Sequence, residues 1–130
     1  EEVAWRVFRV GETVRGVYYL QRFVPHEGRD LRAFVAGDKE LGAMQRTAPG
    51  WRTNFSRGGK AAPVDLPPEW ASLAVRAAQL VGAEYAGVDL LPSTDGSVYV
   101  LEVNGIPGWE GLQQATGIDV AGAVIEQLLR

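Results

Sequence analysis

The chain has 130 residues, 46% of them hydrophobic and 22% charged, which suits one domain with its own core and excludes a disordered tail. It has no cysteine and a single histidine, His26, which excludes disulfides, a thiolate nucleophile, a zinc–cysteine site and a histidine-rich metal centre. No apolar run approaches the length of a membrane span and no signal peptide is visible, so the expected setting is cytoplasmic, away from membranes.

The net charge of −3 hides an asymmetry. Residues 22–60 hold eight basic residues against four acidic ones, and residues 61–130 hold two basic against nine acidic. A basic half and an acidic half could bracket a metal–phosphate ligand, with arginines for the phosphates and carboxylates for the metal. The chain begins Glu1-Glu2-Val3 and its only methionine is Met44, which leads us to expect a piece of a longer protein or a processed chain.

Taken in order, Val3, Ala4, Val7 and Phe8 recur at helical spacing and predict a short helix over 1–9. Val17 to Phe23 is β-branched and aromatic and reads as a strand ended by Pro25. Asp30 to Ala36 alternates polar and apolar, Gly37-Asp38 makes a turn, and Glu40 to Arg46 returns. This places Leu41, Ala43 and Gln45 on one face and Gly42, Met44 and Arg46 on the other. Residues 47–65 read as a long loop. Pro67-Pro68-Glu69 opens a helix to about Val81, with Leu73, Ala74, Ala77, Ala78, Leu80 and Val81 as its buried stripe and Gly82 as its stop. A hairpin follows over 85–104, then a short helix from Trp109 to Ala115. A last helix starts at Ile118 or Asp119, with Val120, Val124, Ile125, Leu128 and Leu129 inward. Paired strands with helices between them predict an α+β fold with a largely antiparallel sheet.

The hairpin carries the sharpest chemistry. Its apolar runs hold Asp89 on one side, and Glu102 and Asn104 on the other, of the turn Pro92-Ser93-Thr94-Asp95-Gly96-Ser97. A turn centred on 94–96 puts Asp89 almost opposite Glu102, with Asn104 on the same face as Glu102. Facing carboxylates destabilise a strand pair unless a cation lies between them. Two carboxylates and a carboxamide form a hard-oxygen set suited to magnesium. The plain alternative is a solvated surface hairpin. Against it, Val88, Leu90, Leu91, Val100, Leu101 and Val103 make both strands of a kind that is normally covered.

The stretch from Trp51 to Lys60 holds Arg52, Thr53, Asn54, Arg57, Gly58 and Gly59, types that can wrap an anion, although the Walker spacing is absent. Arg32 and Arg46 lie on neighbouring strands. Each alone reads as a snorkelling surface arginine, and as a converging pair they read as phosphate ligands.

At this point the chain resembles the RimK-type ATP-grasp ligases, which include α-L-glutamate ligases. The likeness rests on Asp30-Leu31-Arg32, on Arg52-Thr53-Asn54 with Arg57-Gly58-Gly59, on Ala86-Gly87-Val88-Asp89-Leu90-Leu91, on Leu101-Glu102-Val103-Asn104 followed by Pro107-Gly108 and Glu110-Gly111-Leu112, and on Thr116-Gly117-Ile118-Asp119. It runs from about Tyr18 to Arg130. It implies the C-terminal lobe of an ATP-grasp fold as a single domain over 1–130, with the family's N-terminal domain and central lobe absent. It also implies an ATP-dependent carboxylate–amine ligase working through an acyl phosphate, and an amino acid such as glutamate joined to an acceptor.

By the same resemblance, Asp89, Glu102 and Asn104 hold two Mg2+ ions on ATP, with Mn2+ able to substitute. Arg46 neutralises the transferring phosphate. Arg52, Thr53, Asn54 and Arg57 belong to a loop closing on the phosphates. Gln21-Arg22-Phe23-Val24 is the hinge at adenine, and Asp30 and Arg32 lie at nucleotide-contact positions. Arg22 stands where that hinge often carries an acidic residue. Family members are often oligomers of identical chains, and this chain alone is expected to bind nucleotide weakly without turnover. Two rivals remain. One is a non-catalytic nucleotide-binding module that uses the same site. The other is an RNA-binding domain, which the acidic C-terminal half and scattered aromatics oppose.

Overall fold

Alternation in the first half of the chain becomes a sheet in the computed structural model, which describes residues 5–9, 18–47 and 60–129. Strands β1 (Trp5–Arg9) and β2 (Tyr18–Arg22) pair antiparallel as a two-stranded ribbon. Strands β3 (Arg29–Ala36), β4 (Lys39–Thr47), β5 (Lys60–Val64), β6 (Tyr85–Pro92) and β7 (Val98–Asn104) form a five-stranded sheet in the order β5-β4-β3-β6-β7. All its pairings are antiparallel. Three helices complete the chain: α1 (Pro68–Leu80), α2 (Glu110–Thr116) and α3 (Val120–Leu128).

The two outer assignments of the first half need correction. Residues 5–9 form a strand, not part of a helix: the ladder with β2 supplies the backbone with partners that a nine-residue helix would have had to find alone. Residues 60–64 are likewise a strand, bonded to β4, inside what the sequence suggests is loop. Pro63 there fits an edge strand, which can spare a donor.

The sheet has two different faces. On one, Leu31, Ala33, Val35, Ala86, Val88 and Leu90 pack against Ala74, Ala77 and Ala78 of α1. Small helix residues let the helix lie close to the branched side chains of the sheet. Pro68 opens α1, and Gly82, at φ 71, closes it with its N–H donated to the Gln79 carbonyl. The buried stripe ends earlier than its periodicity predicts. Leu80 and Val81 are exposed because they occupy the last turn and the cap, beyond the row that Ala74, Ala77 and Ala78 present.

On the other face, Phe34 and Met44 meet Leu112 of α2 and Val120 of α3. Gly117, at φ 74, breaks the two helices apart, and the Asp119 carboxylate accepts the Gly122 N–H at 2.9 Å to cap α3. Only the start of α3 meets the sheet. Val120 is buried and Val124 half-buried, whereas Ile125, Leu128 and Leu129 face outward, contrary to the inward set predicted for them. No helix among the described residues is long and apolar enough to cross a membrane.

Candidate functional site

Two short irregularities in the sheet decide which side chains meet. Ala36 pairs with Lys39 across the Gly37-Asp38 turn, a register that, continued unbroken, would bring Gln45 opposite Asp30. Instead the ladder shifts between Phe34 and Val35. Leu41 is left without a partner, and Arg46 comes opposite Asp30. Leu41 consequently packs with Phe34 and Met44, not on the face of Ala43 where simple alternation puts it. The same happens in the hairpin. Leu90 pairs with Val100 and Asp89 with Glu102, so Leu101 is the extra residue and Glu102 is brought level with Asp89.

The result is a set of transverse rows on one face. Arg46 lies beside Asp30. Met44, Arg32, Asp89 and Glu102 follow one another across β4, β3, β6 and β7. Gly42, Phe34, Gly87 and Asn104 form the next row. The expected opposition of Asp89 and Glu102, and the sharing of a face by Glu102 and Asn104, are therefore present in the structure.

Within these rows the charges are tightly joined. Arg46 grips Asp30 with two bonds, Nε to Oδ1 at 2.7 Å and Nη2 to Oδ2 at 2.7 Å. The same Nη2 donates to Asp89 Oδ2 at 2.8 Å. Arg32 grips Asp89 from the other side, Nε to Oδ1 at 2.7 Å and Nη2 to Oδ2 at 2.9 Å. Asp30, Arg46 and Asp89 are all buried, at 2%, 5% and 6% exposure, a depth at which unpaired charges are prohibitive. Burial works against the charge on Arg46. The bonds to Asp30 and the negative charges of Asp89 and Asp30 outweigh it and hold the guanidinium above its ordinary pKa.

The oxygens that remain define what the site can bind. A carboxylate has about four lone-pair positions. The arginine bonds use two on Asp89 Oδ2 and one on Oδ1, which leaves Oδ1 able to accept once more. Glu102, level with Asp89, is exposed. Asn104 Oδ1 accepts the Ile106 N–H at 2.9 Å and keeps one lone pair. Hard-oxygen donors with spare positions fit a magnesium ion that keeps water or phosphate in its remaining positions. Among the described residues no three His, Cys, Asp or Glu side chains group closely enough to hold a metal, so the set reaches three donors only by including Asn104.

The turn after Asn104 is brought down onto the sheet at Gly87. A Cβ there would lie 2.7 Å from Pro107 Cβ, so glycine is what allows Pro107 to bury itself beside the site. The hairpin is anchored at its other end by a bond from Thr94 N to the Pro25 carbonyl at 3.0 Å. That bond ties the segment after Gln21-Arg22-Phe23-Val24 to the hairpin turn. Arg22 is exposed, Val24 is half-buried, and the Phe23 ring lies 5.7 Å from that of His26. Of Gln21 only the backbone, in β2, is described. Arg52, Thr53, Asn54 and Arg57 lie outside the described residues. One expectation about covering holds for half of the hairpin: β6 is buried, but Tyr99, Val100 and Leu101 on the edge strand β7 are exposed.

What the sequence reading passed over is the partnership of Asp30 with Arg46. The signal available was two opposite charges flanking a short turn, and the bulge at Leu41 obscured it.

Residues 8–128 match the RimK-like ATP-grasp domain. The chain is 42% identical over 130 residues to a probable α-L-glutamate ligase of Rhodopirellula baltica, covering 98% of this chain and 32% of that protein. It is 40% identical over 121 residues to the tetrahydromethanopterin:α-L-glutamate ligase of Methanococcus maripaludis, covering 91% of this chain and 41% of that protein. Among solved structures, the ATP-grasp ligase PsnB complexed with minimal precursor, Mg and ADP superposes with a TM-score of 0.68 at 25% identity, covering 88% of this chain and 37% of PsnB. The fold is thus that of ATP-grasp ligases, an antiparallel five-stranded sheet with three helices, and the chain belongs to the RimK-like ATP-grasp family. It spans about a third to two-fifths of the length of these relatives.

Proposed function

We propose that this chain is the C-terminal catalytic lobe of an ATP-dependent carboxylate–amine ligase, the remaining lobes lying elsewhere in its parent protein. The observation that carries the reading is the Arg46–Asp30 and Arg32–Asp89–Glu102 arrangement, two cations and a spare-oxygen carboxylate pair on one sheet face. Substrate carboxylate attacks the γ-phosphorus of ATP, the bond to ADP breaks, and an acyl phosphate forms. The amine then attacks the acyl carbon, the C–N bond forms, inorganic phosphate leaves, and the amine proton passes to solvent.

Little covalent work falls to side chains in such a sequence, so alignment and charge neutralisation carry it. Arg46 and Arg32 neutralise phosphate oxygens. Asp89, Glu102 and Asn104 would hold Mg2+, which when bound would supply positive charge at the phosphates. Arg52, Thr53, Asn54 and Arg57 supply further donors to the phosphates, and the backbone of Gln21 to Val24 receives adenine. The names of the relatives support glutamate as the amino acid added. The acceptor is a molecule with a free carboxylate.

The test is ADP release by the full-length parent protein with Mg·ATP, each amino acid in turn and a small-molecule cell extract. The reading expects release that depends on one amino acid and falls by about 10²–10³-fold in Asp89→Asn. Saturable Mg·ATP binding with no release for any amino acid would replace it with the non-catalytic nucleotide-binding module.

A further inference from the structure

We propose that Asp30 is a positioning residue: by fixing Arg46 it keeps the Asp89 carboxylate available to a divalent cation. The proposal rests on the ligase reading and gives Asp30 a part that acts through another side chain instead of direct contact with nucleotide. Its starting point is the division of one nitrogen. Arg46 Nη2 carries two hydrogens, one directed to Asp30 Oδ2 at 2.7 Å and the other to Asp89 Oδ2 at 2.8 Å. Nε adds a second bond to Asp30 and none to Asp89. Asp30 is therefore the firmer of the two anchors and sets where the guanidinium lies relative to the candidate cation ligand.

Charge points the same way. Asp30, Arg46, Arg32 and Asp89 sum to zero, and Glu102 makes the group negative by one. Neutralising Asp30 would cancel that surplus and leave Arg46, Arg32 and Asp89 with a net positive charge about a buried centre, where screening by solvent is weak. It would also release Arg46 to bond Asp89 with both prongs, as Arg32 already does. A cation approaching Asp89 Oδ1 would then meet a carboxylate clamped by two guanidinium groups. Groups that orient metal ligands in this way typically cost 10–100-fold in metal affinity when removed.

The experiment uses the full-length parent protein, with Mn2+ as the probe in the presence of ADP, free Mn2+ being read by electron paramagnetic resonance. ADP binding in EDTA is measured separately by calorimetry. Asp30→Asn is expected to weaken Mn2+ binding about tenfold and to leave ADP affinity in EDTA within about twofold. Asp30→Asn with Arg46→Gln, which removes the stray cation as well, is expected to recover Mn2+ affinity. Unchanged Mn2+ binding in Asp30→Asn overturns the proposal. So does loss of ADP affinity in EDTA, which would make Asp30 a nucleotide contact, or a double variant as weak as the single.

Should Asp30→Asn fail to fold, Asp30→Glu keeps the charge but moves the anchor by one methylene toward Arg46. Weaker Mn2+ binding supports the proposal and unchanged binding overturns it. Asp89→Asn separates the two levels. If it abolishes Mn2+ binding while Asp30 proves inert, only the role of Asp30 falls. If the parent protein binds no Mn2+ with ADP, the ligase reading falls with it.

Discussion

One face of the five-stranded sheet is divided into halves of opposite composition, each with a buried centre. The half at Phe34 is closed by Leu112 and Val120, and its side chains gain by leaving water. The half at Asp30 also has a hidden centre, with Asp30, Arg46 and Asp89 at 6% exposure or less, but that centre is filled with ions. Buried ion pairs are commonly no better for stability than apolar residues of the same volume, because desolvation offsets their attraction. The apolar half is explained by folding alone. The ionic half is not, and that contrast points to a site more strongly than any single residue in it.

The contrast can be broken by exchanging causes. Phe34→Ala should cost about 3–5 kcal/mol in urea unfolding of the parent protein, through lost burial and the cavity left behind. Arg46→Met should cost a similar amount, about 3–5 kcal/mol, because the buried carboxylates of Asp30 and Asp89 lose the cation that bridges them. The two losses should respond differently to a second change. Adding Asp30→Leu to Arg46→Met removes one of the two buried negative charges that lost their cation and should recover most of the stability while ADP release stays low. If the second change recovers nothing, the ionic half is stabilising in its own right and the contrast fails.

Gly87 joins the halves, between Phe34 on β3 and Asn104 on β7, and beneath Pro107. Gly87→Ala forces its Cβ against Pro107 and should cost about 1–3 kcal/mol as overpacking does. Because Pro107 follows the turn in which Ile106 N bonds Asn104, the same variant should raise the Mg2+ concentration needed for half-maximal ADP release. A stability loss with an unchanged Mg2+ requirement would detach the turn from the site.

Much of this face was legible in the sequence, and the parts that were not share a cause. Alternation placed Arg46 with Met44, because a period of two survives in any strand, and a turn centred on 94–96 put Asp89 near Glu102, which the bulge at Leu101 brings level. Alternation misplaced Leu41 and passed over the Asp30–Arg46 pair, because a one-residue bulge leaves no mark in composition and shifts every later partner. Residues 5–9 were misassigned because spacing of apolar residues does not reveal a partner strand that lies beyond a turn. The outward side chains of α3 were misassigned because periodicity identifies an apolar stripe without saying how far along the helix the core extends.

The smallest expected effect lies on the other face of the sheet, the one that α1 covers. Glu40 pairs with Val35 beside the Leu41 bulge, and burial, with the charge of Asp65 adding to it, raises its carboxyl above the usual range. The folded protein therefore holds this proton more tightly than the unfolded chain does. The stability contributed is fully present below the unfolded carboxylate pKa of about 4.3 and is lost as pH rises through the folded value. Glu40→Gln cannot lose a proton and should escape that loss. Its stability relative to the parent protein should climb as pH rises from about 4 and then level off, by a fraction of about 1 kcal/mol, since the group is half open to solvent. Urea midpoints for both proteins between pH 4 and 8 would show it. A difference that stays flat with pH would mean that Glu40 is solvated like any surface carboxylate. Among the described residues, burial of charge would then be confined to the opposite face, at Asp30, Arg46 and Asp89.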